Sequence, residues 1–259
     1  MQDHKPLNGK RILIGRARHQ AGALTDALRD LGGEVIEIPF IEIRPPESWA
    51  PLDQAISRLL DYDWLILTSA NGVQMLFARL AKLGKSEADL LHLNICAIGP
   101  ATAKVVEAHG LPVDVIPEKY VAESVVDALK NDVKGKRFLL VRAKVARDVI
   151  PRELTGLGAK VDVAEAYQTV MPGTSAAALR VVLRDPERKP HAIAFTSSST
   201  VQNFLQLLGK ENIALLTDVK LASIGPVTSE TLRKSGLQAH IEAEEYTIPA
   251  LAHALAENL

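Results

Sequence analysis

The sequence predicts an α/β protein with two similar domains, each built around a doubly wound parallel sheet. Two observations favour this fold class: the 259-residue chain repeats its own motifs, and short apolar runs alternate with amphipathic helical patterns. The chain is 47% hydrophobic, which supplies enough apolar side chains for two cores of ordinary size. We expect two linkers to join the domains and the active site to lie in the cleft between them.

An internal repeat relates the two halves of the chain. GKRILIGRAR, from Gly9, matches GKRFLLVRAK, from Gly135, at six of ten positions and an offset of 126 residues. AIGPAT and SIGPVT keep this offset, whereas LTSANGVQMLF and FTSSSTVQNFL are 128 residues apart. Solenoid repeats are only roughly 20 to 50 residues long, so each copy here is the size of a domain. The repeat therefore predicts two structurally equivalent halves.

Ten apolar runs predict the strands in chain order. The first copy contains ILIG, VIEIPFIEI, WLILTS, ICAIG and VDVIP, and the second contains FLLVR, VDVAEAY, AIAFTS, LASIG and AHIEA. Each run is followed by a helical pattern, as where Leu24, Leu28 and Leu31 recur at helical spacing. Continuous apolar runs are typical of parallel strands that helices cover on both faces. Pro45 to Pro51 and Met171 to Gly173 are the predicted linkers.

The repeated motifs lie where strands end and helices begin, the edge at which open parallel sheets bind ligands. Helix N-termini there offer free backbone N–H groups to an anion, and glycine allows close approach of a ligand. Capping is the alternative role for each such residue. The candidate binding residues at these turns are Thr68, Ser69, Asn71, Gly99, Thr102, Thr196, Ser197, Ser198, Gly225 and Thr228.

In each copy, one arginine directly follows the first predicted strand. Arg16 and Arg142 could reach the cleft or remain solvated on the surface. Their position excludes a core role. The repeat places them at equivalent points of the two halves.

Composition and missing motifs exclude several function classes. The net charge of −1, with scattered basic residues, argues against nucleic-acid or polybasic membrane binding. No apolar run reaches the roughly 18 residues of a membrane span, and the polar start MQDHKPLNGK and single Cys96 favour a reducing cytoplasm. Without G-x-G-x-x-G, a P-loop or metal-ligand spacing, we expect neither a cofactor nor a metal.

Together these motifs resemble the uroporphyrinogen-III synthase family over nearly the whole chain. The resemblance rests on the strand end at Arg16, the turns at Thr68 and Thr196, and the two IGP-x-T turns. Its most specific element is Ala166-Tyr167-Gln168-Thr169 followed by Pro172. It implies that the chain crosses twice between the domains. One domain would then comprise residues 1–38 and 170–259, and the other residues 39–169.

The resemblance implies a reaction without a cofactor. The family converts linear hydroxymethylbilane into uroporphyrinogen III, losing water and inverting ring D. Tyr167 would hydrogen-bond the departing hydroxyl, and the helix N-termini and arginines would hold the substrate carboxylates. Thr102 and Thr228 would bind substrate, and Tyr120 and Ser124 would line the cleft. Since Tyr120 matches Tyr246 in the repeat, packing is an alternative role for it.

Family likeness also favours a monomer. A further expectation is hand-over of the substrate from the preceding bilane-forming enzyme. The chain departs from the family at Gly15-Arg16-Ala17, where many members have T-R-P, and at Ala143 to Ala146, where many have a glycine-rich turn. Lys144 and Arg147 could replace the lost backbone contacts there with side-chain charge.

Two other interpretations are considered. A non-catalytic two-domain protein that closes on a polyanionic small molecule would have similar halves and hinge linkers. Such proteins are usually exported, and the Y-Q-T segment would then have no purpose. A sugar-phosphate transferase using the same helix N-termini would need a metal-binding acid or a basic cluster, and the sequence contains neither.

Overall fold

The structure is a computed structural model that describes residues 5–15 and 22–259. Arg16, one of the predicted binding residues, lies outside the described residues. By its internal contacts the chain divides into two compact units. The first unit comprises Met1–Glu42 and Val170–Leu259, and the second comprises Ile43–Thr169. The limits expected from the family resemblance differ from this division by residues 39–42.

The first unit is built on a five-stranded sheet with strand order β10-β9-β8-β1-β2. All four strand pairs are parallel. Its elements are β1 (Arg11–Ile14), α1 (Gly22–Asp30), β2 (Glu34–Glu37), α7 (Gly173–Arg184), β8 (Ala192–Phe195), α8 (Ser198–Leu208), β9 (Lys220–Ser223), α9 (Pro226–Lys234), β10 (Ile241–Glu242) and α10 (Ile248–Asn258).

The second unit is built on a five-stranded sheet with strand order β3-β7-β6-β4-β5. Its pairs β4–β5, β4–β6 and β6–β7 are parallel. Its elements are β3 (Glu42–Arg44), α2 (Ala50–Ser57), β4 (Trp64–Leu67), α3 (Ala70–Lys82), β5 (Asn94–Ala97), α4 (Pro100–Ala108), α5 (Ala122–Leu129), β6 (Arg137–Ala143), α6 (Val149–Gly156) and β7 (Lys160–Val170).

Each sheet joins strands from both copies of the repeat. In the first unit β1 pairs with β8, and in the second unit its repeat equivalent β6 pairs with β4, the equivalent of β8. The register is the same, because Ile12 faces Ala192 as Phe138 faces Trp64. Neither repeat copy therefore supplies a whole unit by itself. The halves are equivalent in sequence, but each folded unit takes strands from both.

The predicted burial on both faces is confirmed for the central strands, whereas the edge strands β2 and β3 are only half-buried or exposed. In β1, Leu13 packs into one apolar cluster of the first unit, while Ile12 and Ile14 pack into the opposite one. In β4, Leu65 and Leu67 lie in one cluster of the second unit, and Trp64 and Ile66 lie in the other. Alternate residues of one strand thus point into two cores, which is why these runs are continuously apolar.

Some predicted features differ in detail. The run VIEIPFIEI, predicted as one strand, divides into β2 of the first sheet and β3 of the second. The run VDVIP forms no strand and contributes a single bridge between Val115 and Cys96, because its remaining backbone does not extend alongside β5. The predicted linker Met171-Pro172-Gly173 lies just after the division between the units and leads into α7, with Pro172 as the N-cap residue. Cys96 is buried, and burial raises the pKa of its thiol to about 12, as suits a core residue. Within the described residues, none of the helices is both long and apolar enough to traverse a bilayer.

Side chains that precede the central strands accept backbone N–H bonds. In the second unit, Asp63 Oδ2 accepts a hydrogen bond from the backbone N–H of Arg137 at 2.8 Å. In the first unit the equivalent residue is a histidine, and His191 Nδ1 accepts from the backbone N–H of Arg11 at 2.9 Å. The same backbone group is therefore held by a carboxylate in one unit and by an imidazole in the other.

A second pair of residues repeats this substitution. Asp114 Oδ2 accepts from the backbone N–H of Ile95 at 2.7 Å, and His240 Nδ1 accepts from the backbone N–H of Leu221 at 3.0 Å. A protonated imidazole has no lone pair for an N–H donor, whereas a carboxylate remains an acceptor to much lower pH. The first unit is therefore the more acid-sensitive of the two at these strand starts.

We expect the free energy of unfolding to fall less in His191→Asp than in the unsubstituted protein when the pH is lowered from about 7.5 to 5.5. Burial, followed by the positive charges of Arg11 and Lys10, lowers the pKa of His191 below its usual 6.5. A histidine whose pKa is lower in the folded than in the unfolded state contributes its full stabilisation above the unfolded pKa of about 6.5. That contribution is lost as the pH falls through the folded pKa. The aspartate would stay ionised across this range, as Asp63 does beside Lys136 at 3.0 Å.

Denaturant unfolding at the two pH values checks this prediction. The free energy of unfolding should fall less for His191→Asp than for the unsubstituted protein. An equal fall in both would contradict a role for His191 in acid sensitivity.

Candidate active site

Tyr167 lies near the carboxyl end of β7 and is aimed by an irregularity in that strand. The pairing of β6 with β7 shifts register, because Arg142 faces Glu165 whereas the next residue, Ala143, faces Tyr167. Ala166 is therefore an extra residue, which forms a β-bulge. As a result, Tyr167 follows Ala166 directly and yet packs into the same apolar cluster. Without the bulge, the phenol would point to the opposite face of the sheet.

The Tyr167 hydroxyl meets the start of α3. Its oxygen lies 2.9 Å from Ser69 Oγ, and the side chain is only 7% exposed. Ser69 is the N-cap residue of α3, and its Oγ accepts the backbone N–H of Gly72 at 3.0 Å. A Cβ atom at Gly72 would lie 3.2 Å from Ser69 Oγ and 3.8 Å from Tyr167 Cε1. Glycine at this position therefore avoids crowding of the Ser69 hydroxyl, whereas the Tyr167 ring would be at ordinary contact distance from a Cβ atom.

Arg142 is neither solvated nor part of an apolar core. Its side chain is 12% exposed and donates to Asp148 Oδ1 at 2.7 Å and to the carbonyl of Arg147 at 3.2 Å. Its buried Nε has no hydrogen-bond partner among the described residues. The expected alternative of a solvated surface arginine is wrong, because Asp148 and the turn after β6 hold the guanidinium against the sheet edge.

A cavity of about 210 Å³ opens beside Arg142. Thr68 lies on its wall and donates to the carbonyl of Val141 at 3.4 Å, joining the ends of β4 and β6. In this unit the strand order reverses between β4 and β6, and open α/β sheets bind ligands at such a reversal. The other residues that line the cavity are Ile98, Tyr120, Val121, Ala122, Leu140, Ala146, Arg147 and Ile150.

Tyr120 and Tyr246 lie over the glycines that begin α4 and α9. A Cβ atom at Gly99 would lie 3.0 Å from Tyr120 Cγ, and one at Gly225 would lie 2.6 Å from Tyr246 Cδ1. Both rings are largely exposed, at 61% and 68%. The glycines therefore make room for tyrosine rings, a packing role that the sequence analysis left open for Tyr120 alone.

In the equivalent turn of the first unit, the hydroxyl of the capping serine contacts other hydroxyls of the same turn. Ser197 caps α8, accepting the backbone N–H of Thr200 at 3.2 Å. Its Oγ also lies 3.0 Å from Ser199 Oγ and 2.7 Å from Thr200 Oγ1. Ile41 occupies the sequence position equivalent to Tyr167. The two turns share a cap geometry, but only the second unit places a phenol against it.

The remaining predicted residues are spread along these helix starts. Asn71 lies in the first turn of α3, and Thr196 directly precedes the α8 cap. Ser198 donates to the carbonyl of Val227 at 3.2 Å, linking α8 to α9. Thr102 and Thr228 are buried in the first turns of α4 and α9. Ser124 is in the first turn of α5, outside the Arg142 cavity.

Lys144 and Arg147 are both engaged by carboxylates. Lys144 Nζ donates to Glu47 Oε1 at 2.5 Å, and Arg147 makes a bidentate pair with Glu123 at 2.6 and 3.1 Å. Sequence reasoning missed these acidic partners, which are distant along the chain. It also missed Gly72, although the repeat carries a signal for it, since Thr200 stands at the equivalent position. Among residues 5–15 and 22–259, no cluster of His, Cys, Asp and Glu is arranged to hold a metal ion.

Comparisons with known proteins agree in one family. The family described as uroporphyrinogen-III synthase HemD matches residues 22–253. A uroporphyrinogen-III synthase of Synechococcus elongatus is 40% identical over 97% of this chain and 96% of its own. A putative uroporphyrinogen-III synthase of Methanothermobacter thermautotrophicus is 34% identical over 96% and 98%.

A solved structure shows the same fold. A mutant uroporphyrinogen III synthase from Thermus thermophilus superposes with a TM-score of 0.66 at 19% identity. The match covers 96% of this chain and 98% of that one. The predicted two-sheet α/β fold class is therefore confirmed.

We expect Gly225→Ala to destabilise the protein through Tyr246. The added methyl group would overlap the ring, at a cost of about 1 kcal/mol because an exposed ring can swing aside. Truncating that ring in Gly225→Ala/Tyr246→Ala should remove the clash, so the glycine substitution should cost less in that background. Gly156→Ala is the matched control, since a Cβ atom there meets nothing within 4 Å. Thermal unfolding measures all of these variants, and equal costs in both backgrounds would contradict the packing role.

Proposed function

The chain belongs to the uroporphyrinogen-III synthase family, and on that premise we propose that Tyr167 is the acid of its dehydration step. The activity is that of a cyclising hydro-lyase acting on a linear tetrapyrrole. Hydroxymethylbilane loses water and closes to uroporphyrinogen III with ring D inverted. The single observation that carries the proposed site is the buried Tyr167 hydroxyl, 2.9 Å from Ser69 Oγ, at the carboxyl edge of the second sheet.

The proposed step begins at the hydroxymethyl group. The Tyr167 hydroxyl donates its proton to the departing oxygen, which leaves as water with the electron pair of the broken C–O bond. The electron pair of the adjacent pyrrole nitrogen fills the vacancy at the methylene carbon and gives an azafulvene. The proton lost from this nitrogen returns through solvent to the Tyr167 phenolate and restores the acid. The substituted carbon of ring D then attacks this methylene carbon. The resulting spiro intermediate fragments and recloses with ring D reversed.

Positioning is the second task of the site. A linear bilane can close without inversion, so the protein has to hold ring D reversed while the methylene carbon is reactive. Ordering of this kind contributes several kcal/mol without any nucleophile. We propose that the substrate carboxylates bind backbone N–H groups at the helix N-termini, together with Arg142. This proposal includes the turns at Ser69, Gly99, Ser197 and Gly225.

Other expectations from the sequence stay predictions. These are a role for Arg16, a cytoplasmic location, a monomeric state and hand-over from the preceding bilane-forming enzyme. For Thr102 and Thr228, substrate binding through the side chain would require their buried hydroxyls to become accessible.

The product isomer tests the function. Freshly generated hydroxymethylbilane is supplied to the purified protein, the products are oxidised, and the type I and type III isomers are separated by chromatography. We expect type III in excess, because only an ordered ring D inverts. Type I alone, in the amount formed without protein and with the chain shown to be folded, would contradict the function.

Tyr167→Phe tests the acid. We expect kcat to fall about tenfold or more while KM changes little, since loss of a proton donor chiefly affects the transition state. Tyr62→Phe is the matched control: Tyr62 is also buried in the second unit, but its hydroxyl donates to Asp162 at 2.8 Å, away from Ser69. Steady-state kinetics gives kcat and KM for both variants, and only Tyr167→Phe should lower kcat. Unchanged kcat in Tyr167→Phe would contradict the assignment.

A further inference from the structure

We propose that Ser69 is a positioning residue that turns the Tyr167 proton toward the substrate. The proposal rests on the proposed function and changes the expected role of Ser69, which the sequence analysis placed among the substrate-binding residues. Its basis is a chain of three groups. The backbone N–H of Gly72 donates to Ser69 Oγ at 3.0 Å, and Ser69 Oγ lies 2.9 Å from the Tyr167 hydroxyl.

Two arrangements of the hydroxyl protons fit this chain. A serine hydroxyl has one proton and two lone pairs, and the Gly72 N–H occupies one lone pair. If Tyr167 donates to Ser69, the phenol proton is used inside the protein. The serine proton is then left without an acceptor among the hydrogen bonds of the described residues. If Ser69 donates to Tyr167, both internal bonds are satisfied and the phenol proton is the single free donor.

The second arrangement is the one that serves dehydration. Donation then runs in one direction, from the Gly72 N–H through Ser69 to Tyr167 and onward to the leaving oxygen. Hydrogen bonds aligned in this way polarise one another. The chain also starts at the N-terminus of the 13-residue helix α3, whose positive end favours negative charge developing on the phenol oxygen as its proton leaves.

In the first unit, Ser197 caps its helix in the same way but, within the described residues, does not contact a tyrosine hydroxyl. Ser197 meets the hydroxyls of Ser199 and Thr200 at 3.0 and 2.7 Å. The corresponding positions in the second unit are Asn71 and Gly72, which bring no competing hydroxyl. Capping alone therefore does not require the Ser69 environment. Because residues 71 and 72 carry no hydroxyl and the bulge in β7 directs the phenol to this face, the hydroxyl that meets Ser69 is that of Tyr167.

The experiment uses Ser69→Gly, Ser69→Thr, Tyr167→Phe and the double variant Ser69→Gly/Tyr167→Phe in the full chain. Glycine is a good N-cap residue, so Ser69→Gly removes the hydroxyl with little loss of helix stability. We expect kcat to fall about tenfold in Ser69→Gly, with KM within about threefold of the unsubstituted value. Ser69→Thr retains the hydroxyl, and its kcat should stay within about threefold.

The double variant separates positioning from independent action. If Ser69 works through Tyr167, adding Ser69→Gly to Tyr167→Phe should lower kcat by less than about twofold further. Multiplied losses, unchanged kcat in Ser69→Gly, or a rise in KM alone would each overturn the proposal. Failure of the unsubstituted protein to form type III product would instead contradict the proposed function. Type III product from a fully active Tyr167→Phe would overturn the positioning proposal while leaving the family's reaction intact.

Discussion

Each sheet is held at its centre by a parallel pair whose two strands come from different copies of the sequence repeat. β1 pairs with β8 in the first unit, and β6 pairs with β4 in the second, in the same register. Parallel neighbours cannot be joined by a tight turn, so long crossovers are unavoidable. The connection from β1 to β8 includes the whole second unit, whereas the connection from β4 to β6 stays within the second unit. Within each unit, the same pairing aligns the carboxyl ends of the central strands beside the helix starts that bear the candidate residues.

Duplication supplied the scaffold, and single substitutions made the two units different. Tyr167 stands where the first unit has Ile41, and Gly72 where it has Thr200. These exchanges convert a self-satisfied serine cap into a cap that contacts a phenol. The strand starts changed in the same way, since Asp63 and Asp114 correspond to His191 and His240. One set of backbone contacts therefore carries different chemistry and a different sensitivity to acid in each unit.

On the proposed function, the site would combine one buried side-chain donor with many backbone donors, which would account for the near-zero net charge of the chain. A near-zero net charge is compatible with a polyanionic substrate if helix N-termini supply much of the positive potential. The charged side chains around the turn after β6 are largely paired, as with Lys144 and Glu47 or Arg147 and Glu123. Arg142 differs in that its buried Nε has no partner in the described residues. On the proposed function, this edge would contribute positioning of the substrate more than bulk positive charge.

The sequence by itself determined the α/β class, the strands buried on both faces and the family, because apolar periodicity and repeated turn motifs are local signals. It also placed Ser69 and Ser197 at helix starts, since a cap depends only on its neighbours. The family resemblance implied a domain with residues from both copies, but only the tertiary structure decided which strands pair, since pairing joins residues some 180 positions apart, as in Ile12 and Ala192. It alone revealed the bulge that aims Tyr167 at Ser69, the tyrosines over Gly99 and Gly225, and the partners of Arg142. Those features depend on register and on through-space contact, which spacing along the chain does not encode.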